Sequence, residues 1–289
     1  MRNSFSNPTR TLCCKIIAII LLVCFQAGNA YGWGKTGHRL VARIAAAELT
    51  PEAADEIARI LQNESMASAS IWADVVKSAR PETGHYHYVN FAKAVPGEAL
   101  TIVGDPQDNV VAAIDRFQDV LVGNLISDVE KREALQFLIH FVGDIHQPMH
   151  CAPEGDAGGN QVKVSYRGRQ TNLHSLWDTN LIETTELTED QYYTALCKEF
   201  RDAELNTASK GTARDWAEDS HNLAVMHAYQ LPDDLVLTER YYESNIRVVN
   251  RQLMRAGLRL ADILNRIFTK NRLAESVRPD DNHFLTPNS

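Results

Sequence analysis

Cysteine, strand-forming stretches, positive charge and long apolar runs are all scarce in this chain. Of its five cysteines, Cys13, Cys14 and Cys24 fall in the N-terminal segment, which leaves Cys151 and Cys197 for the rest. A metal site here therefore rests on imidazoles and carboxylates, a donor set that suits zinc better than calcium or magnesium. Lys and Arg number 29 against 37 Asp and Glu, a formal charge of −8. A chain of that sign does not bind polyphosphate through bulk charge, although bound dications would reverse the sign locally. The apolar run Ile16–Phe25 is too short to span a bilayer. No internal repeat or domain linker interrupts the sequence.

The N-terminus carries Arg2, Arg10 and Lys15 with no acid, then the apolar run, then small residues. That order is a secretory signal peptide. Two cuts satisfy the small-residue rule: after Gly32, leaving Trp33 first, or after Ala30, leaving Tyr31 first. Residues 1–32 are thus expected to be lost and the product secreted or periplasmic, without stable membrane association. Removing three basic residues leaves 26 against 37 acids, or −11, over 257 residues. That length suits one large helical domain over about 33–270, with 271–289, rich in polar residues and proline, as a flexible tail. Export to an oxidising compartment permits a Cys151–Cys197 disulfide.

Helical periodicity dominates the mature chain, so the fold expected is all-α, a single multi-helix domain. Segments 36–48, 51–61, 67–79, 131–147, 174–185, 188–204, 211–229 and 238–268 read as helices, and Asp105-Pro106 as the start of another. The region 81–104 reads as irregular, with 87–91 locally extended. Residues 151–172 form the longest non-helical insert, with a small hairpin predicted at Val162–Tyr166 and Gln170–Leu173 around Gly168.

Chemistry concentrates in His140-Phe-Val-Gly-Asp144-Ile-His-Gln-Pro-Met-His150. His140 and Asp144, four apart on an apolar helix, project from one face, a metal-ligand spacing. Pro148 stops the helix and frees His150 to turn toward a second metal. His174 and Asp178 repeat the spacing. One such pair is more often structural than not. Two pairs in apolar helices, with Trp33, His38, Asp74 and His87 beside them, form a density of ionisable groups too costly to bury unpaired.

The segments Trp33-Gly-Lys-Thr-Gly-His38, Trp72-Ala-Asp74, His87-Tyr-Val-Asn90, His140 to His150 and Leu173-His-Ser-Leu-Trp-Asp178 resemble, in order, the motifs of the zinc-dependent single-strand nucleases, a family within the zinc phospholipase C superfamily. The resemblance covers residues 33–178, and the C-terminal helices match in character. It implies an all-helical domain with three zinc ions at the base of a cleft. Asp74, His87, His140 and Asp144 would hold one ion, and His150, His174 and Asp178 a second. His38, Asp144 and the amine and carbonyl of Trp33 would hold the third. A terminal amine is a metal ligand and an amide nitrogen is a poor one, so the resemblance favours the cut after Gly32.

It also implies hydrolysis of phosphodiesters in single-stranded DNA and RNA to 5′-phosphorylated products, with 3′-nucleotidase activity, by a monomer acting on polymers and nucleotides. Asp74 would both bind zinc and orient the attacking water. Lys77 and Asn160 would contact the phosphate, Tyr88 would stack on an unpaired base, and Asn90 would touch its edge. The family has an acid where Asn90 stands, which leaves base preference open. The alternatives are a zinc phospholipase C, where a glutamate is expected in place of Asp178, and a non-catalytic zinc-binding module. His85 competes with His87 as a ligand, with context favouring His87. His146, on the central helix, is expected to hydrogen-bond behind the ligands, and Met149, Trp72, Trp177 and Trp216 to pack.

Overall fold

Side-chain caps decide where the helices begin. The computed structural model describes residues 33–92, 98–123, 126–206 and 210–276. Helix α1 runs Lys35–Ala47 and α2 Pro51–Ile60, the latter capped by Thr50, whose side chain accepts from the Ala53 N–H. The expected helix over 67–79 is two short ones, α3 (Met66–Ala69) and α4 (Trp72–Lys77). A 3-10 segment, Pro81–His87, follows. Helix α5 spans Val110–Val122, four residues later than Asp105-Pro106 suggests. The Asn109 side chain takes the Val111 and Ala112 N–H groups, whereas Asp105 caps only a turn at Gln107.

The central helix α6 runs Asp128–Asp144, opened by a reciprocal Ser127–Glu130 capping box. It ends four residues before Pro148, which instead opens a 3-10 turn, Pro148–Cys151. His146 therefore lies beyond the helix and not on it. One helical stretch follows the insert: α7 (Leu173–Ser175), a π-turn Leu176–Asn180, and α8 (Leu181–Glu183). Helices α9 (Glu189–Leu205) and α10 (Ala213–Leu223, continued by a π-turn to Ala228) lead to α11, Glu239–Ser276. Its backbone is helical through the first six residues of the expected tail. Residues 1–32 and 277–289 lie outside the described residues.

Helix α6 is the axis of the core: from Ala134 to Asp144 every side chain is buried. Phe137 stacks on Phe117 of α5 and on Phe141, with centroids 4.8 and 5.2 Å apart. Each such aromatic pair is worth about 0.5–1.5 kcal/mol beyond area burial. On another side, Leu40, Val41 and Ile44 of α1 are buried against α11, whose Val249, Leu253, Leu260 and Leu264 are fully buried. A side chain at Gly257 would stand 2.5 Å from Ile44, so glycine permits that close approach.

Among the described residues, strand is confined to small patches. Strands β1 (Asn90–Phe91) and β2 (Ile102–Val103) pair antiparallel. Strands β3 (Lys163–Tyr166) and β4 (Arg169–Asn172) form the expected hairpin, its turn made by Arg167 and Gly168, both at positive φ. Strand β5 (Val236–Leu237), which no alternation signals, joins β3 in parallel. The two cysteines are free thiols, against the expected bridge. Cys151 is buried, with its thiol donating to the Ile145 carbonyl, while Cys197 sits partly exposed on α9.

Candidate metal centre

Five segments bring the ligands together. Helix α6 supplies His140 and Asp144 one turn apart, α4 supplies Asp74, and the 3-10 segment before β1 supplies His87. Main-chain bonds from Val89 N–H to His150 O (2.8 Å) and Phe91 N–H to Ala152 O (3.1 Å) tie that segment to the turn carrying His150. His174 and Asp178 come from α7 and the π-turn, and Gly34 N–H donates to the Asp178 carbonyl at 2.8 Å. That bond docks Trp33, fully buried, beside the ligands.

The donors form three groups: Asp74, His87 and His140; His150, His174 and Asp178; and His38, His140 and Asp144. Within each group the ligand atoms lie within 4.8 Å of one another. His140 Nε2 is 3.1 Å from His87 Nδ1, 3.1 Å from Asp144 Oδ2 and 3.7 Å from Asp74 Oδ1. Tetrahedral zinc with bonds near 2.0–2.2 Å spaces its ligands about 3.3–3.5 Å apart, so this set fits. Asp144 bridges: Oδ2 faces His87 at 2.9 Å, while Oδ1 faces His38 Nε2 at 3.4 Å.

The outer bonds of the imidazoles fix the tautomers. His140, His150 and His174 direct Nδ1 at the carbonyls of Ser70, His87 and Gly158, at 2.6, 2.6 and 2.7 Å. Donating Nδ1–H there leaves each Nε2 lone pair aimed inward, the pattern of a metal ligand. His38 Nε2, Asp74 Oδ1 and Asp144 Oδ1 are buried with no hydrogen-bond partner. Such groups are costly unless a cation meets them. Gly143 makes room for the His38 ring, because a side chain there would lie 2.8 Å from its Nδ1.

Electrostatics favour neutral rings at His38, His87 and His150. Burial lowers the pKa values of His38 and His87, and pulls His150 down to about 3. Burial also works against a proton on His140, but Asp144 and Asp74 outweigh it and raise the ring to about 9. Burial lifts Asp178 to about 6. Asp144 is buried too, yet His140 and His150 hold it well below the usual carboxylate range.

A family model described as S1/P1 Nuclease matches residues 33–269. The chain belongs to the S1/P1 nuclease family. Among its relatives, Endonuclease 2 of Arabidopsis thaliana is 32% identical over 281 residues, covering 88% of this chain and 96% of the relative. Nuclease S1 of Aspergillus oryzae is 28% identical over 288 residues, with 88% and 98% covered. Nuclease P1 of Penicillium citrinum is 29% identical over 264 residues, with 81% and 97% covered.

The remaining candidates of this S1/P1 chain fall around the same centre. Lys77 Nζ lies 3.6 Å from Asp74 Oδ1. Tyr88, Asn90, Met149, Gly158, Asn160 and His174 line a cavity of about 380 Å³. Asn160 Nδ2 donates to the Ala157 carbonyl at 2.9 Å. His85 is at the surface, 3.2 Å from Asp108, so His87 alone joins the cluster. His146 hydrogen-bonds behind the centre, to Val142 O at 2.7 Å and Arg259 at 2.8 Å. Trp72, Trp177 and Trp216 pack as expected, and Met149 is buried while also edging the cavity. Sequence reasoning missed Gln147, which donates to Asp178 Oδ1 and accepts from the Met149 N–H, so it holds that ligand against the turn. Its place between His146 and Pro148 was the available signal.

Proposed function

We propose that this chain is an exported, zinc-dependent endonuclease that hydrolyses phosphodiester bonds of single-stranded DNA and RNA to 5′-phosphorylated products, and that it also dephosphorylates 3′-nucleotides. One observation carries the reading: Asp144 turns its two carboxylate oxygens to different ligand groups, and His174 of the remaining group opens onto the cavity of Tyr88 and Asn90. Zinc held by those groups supplies Lewis acidity and a water of lowered pKa.

The chain's own residues do the rest. Asp74, at the edge of the centre, holds the attacking water by its carboxylate while Lys77 places a positive charge beside the phosphate. Asn160, partly exposed at the cavity, offers its amide to a phosphate oxygen. Tyr88 stacks on the base and Asn90 meets its edge with both a donor and an acceptor. A base inside a duplex has no free face for Tyr88, which is why single strands are the substrate.

Trp33 is read as the mature N-terminus, its amine completing the group of His38 and Asp144. The family match beginning at Trp33 and the complete burial of that residue support this. All the ligands come from one chain, so a monomer suffices. Among the described residues no helix is long and apolar enough to cross a membrane. A zinc phospholipase C finds no support, since the family match and the relatives named above are nucleases.

The test compares zinc-loaded protein on single-stranded DNA, single-stranded RNA, the matching duplexes and phosphatidylcholine. Both single strands are expected to be cut, duplexes far more slowly and the lipid not at all, with Asp74→Asn abolishing cleavage. Absence of cleavage of either single strand by the fully loaded protein overturns the reading.

A further inference from the structure

We propose that a second nucleoside subsite lies across the metal centre from Tyr88, in a cavity walled by Ile71, Val75 and Ile182, and that it receives the nucleoside on the far side of the scissile phosphate. The inference rests on the endonuclease reading above.

A phosphodiester joins two nucleosides, so a phosphate at the centre needs two exits. The Tyr88 cavity is one, bordered by His174. The other cavity, about 630 Å³, is bordered by Asp74 and Asp178. Those carboxylates belong to two different ligand groups. His174 and Asp178 lie 3.1 Å apart, yet one borders the first cavity and the other the second. The centre therefore separates two chambers of one cleft, and a substrate phosphate seated there presents a substituent to each.

The second chamber's chemistry differs from the first. Its wall is aliphatic: Ile71 and Val75 from the α3–α4 region, with Val75 65% exposed, and Ile182 from α8. It contains no aromatic ring and no amide side chain, and its hydroxyls, Thr36, Ser78 and Thr179, each donate and accept, so it takes a base by apolar contact without a fixed pattern to read its edge. Lys35, exposed at the start of α1, stands at the rim for the next phosphate of the polymer, with Glu183 as the acid on the same rim. The pairing gives one chamber that stacks and reads a base and another that tolerates any base. Contacts in the second chamber are made only by substrates with a nucleoside beyond the phosphate. Their effect is confined to polymers and dinucleotides.

Adenosine 3′-phosphate carries one nucleoside, which takes the stacking Tyr88 chamber, and nothing beyond the phosphate. Val75 is exposed and outside the ligand set, so its variants fold. With zinc-loaded enzyme and zinc content verified, Val75→Glu is expected to lower kcat/KM on a dinucleoside monophosphate at least tenfold and to leave adenosine 3′-phosphate within twofold. Val75→Ser, which adds no charge, gives the same selectivity at about threefold. Equal losses on both substrates, or none on the dinucleoside monophosphate, overturn the subsite while leaving the nuclease assignment standing. A wild-type enzyme inactive on both substrates removes the nuclease assignment and the subsite with it.

Discussion

His140 donates its Nδ1–H to the carbonyl oxygen of Ser70 across 2.6 Å, which leaves Nε2 as the atom that either takes a proton or binds metal. The two are competitors, and the proton wins in the metal-free chain because Asp144 and Asp74 lift the ring to about 9. At pH 7, zinc loading is expected to release about one proton per chain from this ring. Calorimetric titration in buffers of different ionisation enthalpy measures it. Apparent zinc affinity should rise with pH up to about 9 and level above.

The same shift sets a stability trend for the metal-free protein. A histidine near 6.5 unfolded and about 9 folded stabilises fully below 6.5 and loses that contribution as pH rises through 9. For this buried pair the amount is on the order of 3 kcal/mol. Asp178, lifted to about 6, acts in the same direction, whereas His150, lowered to about 3, acts oppositely; both effects lie below about 6.5. Urea denaturation of the chelated protein between pH 6.5 and 9 should therefore show falling stability, and the zinc-loaded protein should lack the trend.

Asp144→Asn removes one oxygen ligand from two groups at once. Zinc content is expected to fall from about three per chain to about one, held by His150, His174 and Asp178. Cleavage of single-stranded DNA should drop at least about a thousandfold, or roughly 4 kcal/mol of barrier. Metal analysis alongside kinetics checks both.

Gly143→Ala tests the close approach of α6 to His38. Alanine favours the helix by about 1 kcal/mol, but its side chain would lie 2.8 Å from His38 Nδ1. The ring must move, whereas the core need not. The expected result is a melting temperature within a few degrees of wild type, loss of about one zinc, and at least a tenfold loss of activity.

Asn90→Asp replaces a donor-and-acceptor amide with an acceptor-only carboxylate. Guanine alone presents two adjacent donors on its pairing edge; adenine and uracil alternate donor with acceptor, and cytosine sets one donor beside two acceptors. Preference should move toward guanosine 3′-phosphate over adenosine 3′-phosphate by about 1–3 kcal/mol in kcat/KM, near tenfold or more.

Much of this was legible in the sequence because the signals were local. Four-residue spacing placed His140 with Asp144 and His174 with Asp178, and Thr50-Pro51 marked the start of α2 to the residue. What failed depended on partners distant in sequence. Strand β5 exists only because β3 passes beside Leu235 to Leu237. Asn109, not the more conspicuous Asp105-Pro106, caps α5, since its side chain reaches two main-chain donors in the folded turn. The Cys151–Cys197 pairing could not be judged from composition, because compartment permits a bridge but only geometry makes one. The aliphatic chamber was invisible for the same reason: Val75 and Ile182 are ordinary until the chain folds them around Asp74 and Asp178.

The seat of α1 on α11 couples the first described helix to the last across some two hundred positions, and so delays completion of the fold. Leu40, Val41 and Ile44 stay wet until the ribosome has released the segment around Gly257. Such high contact order makes closure slow and post-synthetic. A nascent chain in that condition remains threadable, which is what the export proposed above requires.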